Sequence, residues 1–588
     1  MKELIRLNKH LIKYKWHLLF GVIFILCSNT FAAFSPSYFG KAIDALSHTD
    51  KPIGSFSNIE KDNLLLTVLY YALMFIGFAF MRGIFLYLTR QTIIVMSRHI
   101  EYDMKNEIYS HYQSLPLSFY RKNNTGDLIN RISDDVGKVR MYIGPAIMYG
   151  INIVTIFCLV LPVMFSTNSK LASYSLIPLP FLSIGIYLIS NKINRQSERI
   201  QSKLSDLSTF VQEAFSGIRV IKSFAREGDS AQSFLNESNL YRKESIGLTL
   251  IHAFFHPIIY GLIGLSTILV IYIGGVEVIN GNDVSYGDIA KFFLYLNLIT
   301  WPVTSLGWVT SIIQRASASQ KRLSEFLDTK SNLLSNINDT TAIKGEIKFD
   351  EVNFCYEDSD TTAINKLSFT IPEGDSLAIV GNTGCGKSTI ANLISRMYDI
   401  DSGQLLIDGK SIQDFSISHL RDNIGYVPQD TFLFSDTIYN NISFGQNNAS
   451  KEQIEKAAKH AGVYDSIMNF PDQFNTILGE RGITLSGGQK QRITLARSIL
   501  KDPKILILDD SLSAVDTKTE DEILSNLKTI MKGKTSIIIS HRFSTIKLAH
   551  KIIVLNKGTV IEEGTHEELL LKDGFYKEMY KSQLEKEA

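Results

Sequence analysis

Cysteine is scarce: Cys27, Cys158, Cys355 and Cys385 are the only four in 588 residues. They are too few and too scattered for a disulfide framework, and no two share metal-ligand spacing. Net charge is lacking as well. Sixty Lys and Arg stand against 59 Asp and Glu, a formal charge of +1, which gives no case for nucleic-acid binding through bulk charge. A chain that is 45% hydrophobic and 20% charged is not disordered either. Length alone suggests roughly four soluble domains of about 150 residues. The mean hydropathy of +0.06 fits that poorly, and it points to an average over two unlike halves.

The most informative absence is local. No Asp, Glu, Lys or Arg occurs from His17 to Gly40, from Ile246 to Val276, or from Phe292 to Gln314. Arg82 is the only charge between Asn63 and Thr89, and Lys170 the only one between Ile143 and Ser190. A bilayer core of about 30 Å needs about 20 apolar helical residues. The longest gap therefore holds two spans with a turn at Ser166 to Lys170, and six transmembrane helices are expected. The segments 43–62, 166–170 and 277–287 carry only Lys51, Lys61 and Lys170, whereas 98–142 and 191–245 are rich in Lys and Arg. Basic loops stay inside, so both termini are expected in the cytoplasm. The basic connections have a helical pattern and are expected to extend the membrane helices into the cytoplasm.

Met1 to Trp16 mixes Leu4, Ile5, Leu7, Leu11 and Ile12 with Lys2, Arg6, Lys9, Lys13 and Lys15. That suits a helix on the cytoplasmic membrane surface. A cleaved signal peptide is disfavoured, because the following apolar run is too long and lacks a convincing small-x-small site. Within the spans, His252 and His256 are four apart on one face of the fifth helix, as a metal or proton site would be, or they are hydrogen-bonded in the bundle or line a watery cavity. Arg82 and Asn297 either line a path or are satisfied by neighbours. Trp301 and Trp308 are ligand surface, interfacial anchors or packing.

The second half reads differently. A polar stretch, Thr329 to Lys344, forms a linker, and beyond it short apolar strands alternate with amphipathic helices. The strand Leu377-Ala378-Ile379-Val380 runs into Gly381-Asn382-Thr383-Gly384-Cys385-Gly386-Lys387-Ser388-Thr389. Glycines let backbone N–H groups curl around phosphate, and the following helix adds a favourable dipole. Lys387 is placed to reach the β- and γ-phosphates and the Ser388 hydroxyl to ligate Mg²⁺. Cys385 is a small loop residue here. A second apolar strand, Ile505 to Leu508, ends in Asp509, the expected Mg²⁺ carboxylate. Between them lie Gln429 and Leu485-Ser486-Gly487-Gly488-Gln489, which opens a long helix as a second anion cradle. Ser513-Ala514-Val515-Asp516 and His541 follow.

Together these residues resemble the ATP-binding cassette family, and with six spans ahead of them the chain resembles a fused half-transporter of its exporter branch. The implied architecture is a six-helix transmembrane domain over 1–328, a linker over 329–344 and an α/β P-loop cassette over 345–588. The resemblance implies that Tyr356 stacks on adenine, that Gln429 joins Ser388 and Asp509 at Mg²⁺, and that His541 senses the γ-phosphate. It implies coupling segments at Phe119 to Arg131 and at Glu213 to Arg226. It also implies a head-to-tail dimer in which Leu485, Ser486, Gly487, Gly488 and Gln489 serve the ATP of the partner chain. The cofactors are then ATP and Mg²⁺. The setting is a bacterial cytoplasmic membrane, and the cargo an amphipathic drug-like or lipid-like compound. An attached peptidase and an importer role are not expected.

One residue departs from the family pattern. Where the family has a glutamate acting as general base, this chain has Asp510. Its carboxylate is one methylene shorter, a retreat of roughly 1.5 Å, and a misplacement of about 1 Å can cost on the order of 10²-fold. The expected consequence is a slow or inactive ATP site in the degenerate-site subunit of a heterodimeric multidrug exporter. The alternatives are a homodimeric lipid flippase and an ATP-gated channel or regulator.

Overall fold

A computed structural model describes residues 2–47, 58–281, 284–333, 341–357, 362–479, 482, 485–511 and 517–587. Ser513, Ala514, Val515 and Asp516 therefore lie outside the described residues, as does the middle of the linker. Two compact units replace the four that length suggested. One is Met1–Gln113 with Gly126–Thr329; the other is Ser114–Thr125 with Lys330–Ala588.

The first unit is helical. Its main elements begin with α1 (Lys15–Ser47), α2 (Asn58–Thr89), α3 (Val95–Ser114) and, after the short α4 (Leu117–Lys122), α5 (Ile147–Thr167). They continue with α6 (Ser169–Leu176), α7 (Pro178–Ser216), α8 (Glu227–Ile279) and α9 (Tyr286–Leu327); α4 itself belongs to the second unit. Five stretches among the described residues are long and apolar enough to cross a membrane: Lys15–Ser47, Asn63–Ser114, Thr125–Thr167, Glu227–Ile279 and Tyr286–Leu327. The remaining expected span, between Lys170 and Ser190, is divided between α6 and α7. Proline has no N–H to donate, so Pro178 interrupts the ladder and splits the apolar run. The turn before it falls where the sequence put it. Asn168 caps α6, its side chain accepting from the Leu171 N–H at 2.9 Å.

The helices are long because the basic connections are helical, and α8 alone spans 53 residues. π-helical turns at Arg90–Ile94, Arg131–Asp135 and Tyr142–Ala146 have no counterpart in the sequence reading. The N-terminal segment is pinned by ions to α3: Lys9 pairs with Glu107 and Lys13 with Asp103, both at 2.6 Å. Leu4 and Leu7 are buried there, while Ile5 and Ile12 stay exposed. Arg82 and His252 are exposed, Asn297 bonds back to the Phe293 carbonyl at 2.9 Å, and the His256 side chain lies outside the described residues.

Helices α1 and α9 meet at close quarters. Asp44 accepts from the Gly287 N–H at 2.7 Å and from the Ser285 hydroxyl at 2.9 Å, which satisfies donors at the start of α9. A Cβ on Gly287 would collide with the Gly40 carbonyl and the Asp44 carboxylate. Gly287→Val should therefore destabilise the membrane unit by about 1–3 kcal/mol through overpacking, read as a lower thermal midpoint of the purified chain.

The second unit carries β1 (Ile347–Cys355), β2 (Thr362–Ile371), β3 (Ser376–Gly381), α10 (Lys387–Ile394), β4 (Ser402–Ile407), β5 (Lys410–Ser411) and β6 (Ile424–Val427). Then come α11 (Gly487–Leu500), β7 (Ile505–Asp509), β8 (Thr535–Ile539), β9 (Lys551–Asn556) and β10 (Thr559–Gly564). A four-stranded antiparallel sheet runs β2-β1-β4-β5, and a six-stranded sheet runs β10-β9-β3-β8-β7-β6. Pairings β3–β9, β3–β8, β8–β7 and β7–β6 are parallel. Strands β3, β7 and β8 are buried at every position, which is why residues 377–380, 505–508 and 537–539 read as apolar runs.

Candidate functional site

Parallel strands deliver whatever follows their C-terminal ends to one edge of the sheet. Four neighbours, β3, β8, β7 and β6, do this here. Beyond β3 comes the glycine-rich loop; beyond β8, His541; at the end of β7, Asp509 and Asp510; and beyond β6, Gln429. Register explains the convergence, since Ile379 and Asp509 both pair with Ile539, and Val427 pairs with Leu508. Residues scattered from Tyr356 to His541 thus line one cavity of about 340 Å³. Its walls include Tyr356, Thr383, Gly384, Gly386, Lys387, Ser388, Thr389, Gln429, Asp509, Asp510 and His541.

The loop owes its shape to glycine. Gly381, Gly384 and Gly386 have φ of 151°, 82° and 105°, a region where a side chain is strained. A Cβ on Gly381 would also strike the Leu555 carbonyl of β9. Lys387 opens α10 and is only 8% exposed. Its ammonium donates to the Gly381 and Asn382 carbonyls at 2.8 and 2.9 Å, with the Cys385 sulfur at 3.9 Å. Those hydrogen-bond partners are neutral, so a buried cation sits at a helix start in a cage of backbone, a setting that suits phosphate. Burial pushes the Cys385 thiol above its usual pKa, which fits an unreactive loop residue. Asn382 and Cys385 thus shape the loop rather than line the cavity.

The carboxylates differ in setting. Asp509 is 3% exposed and burial raises its pKa, an effect that Asp510 reinforces and the Ser388 hydrogen bond and Lys387 oppose. A buried carboxylate bonded to Ser388 is a donor pair suited to a hard cation such as Mg²⁺. Asp510 has φ of 47°, a left-handed conformation in which aspartate is several-fold enriched. Its backbone is held at both ends. The N–H donates to the Ile539 carbonyl at 2.7 Å, and its carbonyl accepts from Gln491 of α11 at 3.3 Å. Burial and nearby Lys387 lower the pKa of His541, favouring the neutral imidazole at pH 7.

Leu485, Ser486, Gly487, Gly488 and Gln489 do not line this cavity. They form the start of α11, where Ser486 and Gln489 make a reciprocal capping box at 3.0 and 3.3 Å. Ser486 and Gly487 are exposed, whereas Leu485 and Gly488 are buried. Thr362, Ala363 and Ile539 line the cavity without having been singled out from sequence. They sit on β2 and β8, and nothing in their residue types marks them.

Tyr356 is fixed from several sides. Its hydroxyl is 3.0 Å from the Thr389 hydroxyl, and Phe354 and Tyr398 stand edge-on to its ring at 4.9 and 5.3 Å between centroids.

Comparison with known proteins identifies the family. Residues 18–303 match the family model for the ABC transporter transmembrane region, and residues 364–513 match that for the ABC transporter domain. The multidrug resistance-like ATP-binding protein MdlA of Buchnera aphidicola is 37% identical over 499 residues, covering 84% of this chain and 86% of that protein. An ATP-dependent lipid A-core flippase of Mannheimia succiniciproducens is 34% identical over 513 residues, covering 87% and 88%. The ATP-bound structure of a bacterial Atm1-family ABC exporter superposes with a TM-score of 0.77 at 26% identity, covering 98% of each chain. The fold, the convergent site and these relatives together place the chain in the ABC transporter family, as an exporter-type half-transporter whose transmembrane region is fused to an ATP-hydrolysing cassette.

Proposed function

We propose that this chain is the subunit with the impaired ATP site in a heterodimeric exporter of amphipathic drug-like or lipid-like compounds. Half-transporters of this family work as dimers, so a partner chain is required; the reading favours an unlike partner over a second copy. Both termini and the cassette face the cytoplasm, as the excess of Lys and Arg in the connections 98–142 and 191–245 supports.

At this chain's own site, Tyr356 stacks on adenine, and the loop from Gly381 to Thr389 holds the phosphates with Lys387 at the β–γ end. Ser388, Gln429 and Asp509 hold Mg²⁺, which when bound neutralises charge developing on the phosphates. His541, neutral, faces the γ-phosphate as a hydrogen-bonding partner. Ser486, Gly487 and Gly488 lie apart from that cavity at a helix start, with Ser486 and Gly487 exposed, which supports their serving the ATP held by the partner.

Asp510 carries the reading. A general base must lie within hydrogen-bond reach of the proton it takes, and a carboxylate set back by one methylene on an anchored backbone falls short. ATP turnover by the chain purified alone, then with a half-transporter that has glutamate at this position, tests it. Slow turnover alone and at least tenfold stimulation by the partner are expected; full turnover by a homodimer would favour the lipid-flippase alternative.

A further inference from the structure

The ring of Tyr356 has a second neighbour. The helix α4 (Leu117–Lys122), which interrupts the membrane domain in sequence, clusters with the cassette. The Arg121 guanidinium lies over the Tyr356 ring, 4.4 Å from its centroid. Next to it, Lys122 pairs with Glu357 at 2.6 Å. Arg121 and Tyr356 line a cavity of about 200 Å³ together with Pro116, Phe354 and Tyr398. Tyr356 also lines the larger cavity that contains Lys387, Ser388 and Asp509. Its ring is thus a wall shared by two cavities, one holding the phosphate loop and the other walled in part by α4.

We infer that Arg121 is a positioning residue for the adenine end of the ATP site, so that a segment inserted from the membrane domain sets nucleotide affinity at this cassette. The inference rests on the proposed stacking of Tyr356 on adenine. A cation over a ring face is attracted by the ring's quadrupole. With the hydroxyl bonded to Thr389 and two aromatic edges alongside, Arg121 leaves the ring little freedom to lose when a base stacks on it. An unordered side chain would have to be immobilised at binding, which corresponds to roughly 2- to 10-fold in affinity. By linkage, the nucleotide must favour the α4–cassette contact by the same factor.

The test is ATP binding by the full-length chain in its assembled transporter, read as competition of ATP against 8-azido-ATP photolabelling of this chain. Arg121→Ala should weaken ATP about 2- to 10-fold, and Arg121→Lys, which can still place an ammonium over the ring, should recover part of that. In a Tyr356→Leu background the Arg121→Ala effect should vanish. Tripolyphosphate, which has no base to stack, should compete equally well against wild type and Arg121→Ala. Lys122→Ala removes only an exposed ion pair, worth little, and should change ATP affinity less than the loss of Arg121 does. Unchanged or tighter ATP binding in Arg121→Ala would overturn the inference. So would an equal loss in the Tyr356→Leu background, or an equal loss for tripolyphosphate. If Lys387→Ala left ATP binding intact, the ATP-site reading itself would fall, and this inference with it.

Discussion

Gly487→Asp should lower ATP turnover of the assembled transporter by about 10²-fold or more, whereas Lys387→Ala in the same chain should lower it far less. The asymmetry follows from which ATP each residue serves. Gly487 is exposed at the start of the 14-residue helix α11, where free backbone N–H groups and the helix dipole favour an anion. In the proposed heterodimer that anion is the ATP on the partner's phosphate loop, the site to which the proposal assigns an intact base. A carboxylate placed there repels the phosphates of the competent site. Lys387 instead serves the phosphate loop followed by Asp510, so on the same proposal its loss removes binding from a site that contributes little turnover. In a homodimer both substitutions strike every site and the two losses would be alike. Steady-state ATPase activity of both variants, with ATP photolabelling to confirm that Lys387→Ala has lost its nucleotide, decides the matter.

Asp510→Glu should raise hydrolysis at this chain's own site by about 10- to 100-fold. The size of the gain depends on whether the backbone could already have moved to bring the shorter carboxylate forward. Two hydrogen bonds argue that it has not. The Asp510 N–H is tied to the Ile539 carbonyl of β8 at 2.7 Å, and its carbonyl to Gln491 of α11 at 3.3 Å. Moving this backbone would disturb a buried strand and the helix that begins with Gly487. Glutamate tolerates φ of 47° less readily than aspartate, so the variant should also lose a little stability. Turnover of the chain purified alone, wild type against Asp510→Glu, reads the gain, and a thermal midpoint reads the strain.

The parts legible in the sequence are those encoded over a short stretch. Charge-free runs announced the membrane helices because the bilayer excludes charge residue by residue. The glycine pattern from Gly381 to Gly386 announced a phosphate loop because left-handed φ values demand it locally. The division of the span between α6 and α7 is not legible in an apolar count, because such a count does not register the backbone donor that Pro178 lacks. Contacts between distant residues are not legible from the residues themselves. Asp44 and Gly287 are 243 positions apart, and neither residue type advertises a partner. The segment from Phe119 to Arg131 and Tyr356 each carry a signal in the sequence, yet the seat of Arg121 on that ring depends on the packing of α4 with the cassette. Convergence of Gln429, Asp509 and His541 is expected from the family resemblance alone; its physical cause, the strand order β3-β8-β7-β6, is not disclosed by the sequence order.

In the proposed heterodimer, hydrolysis belongs to the partner's phosphate loop and not to this chain's. The most direct measurement is which chain traps ADP when the assembled transporter turns over 8-azido-ATP in the presence of vanadate and is then photolabelled. Trapped label confined to the partner chain, with this chain labelled only as a binder of ATP, is the predicted result; equal trapping on both chains would contradict it.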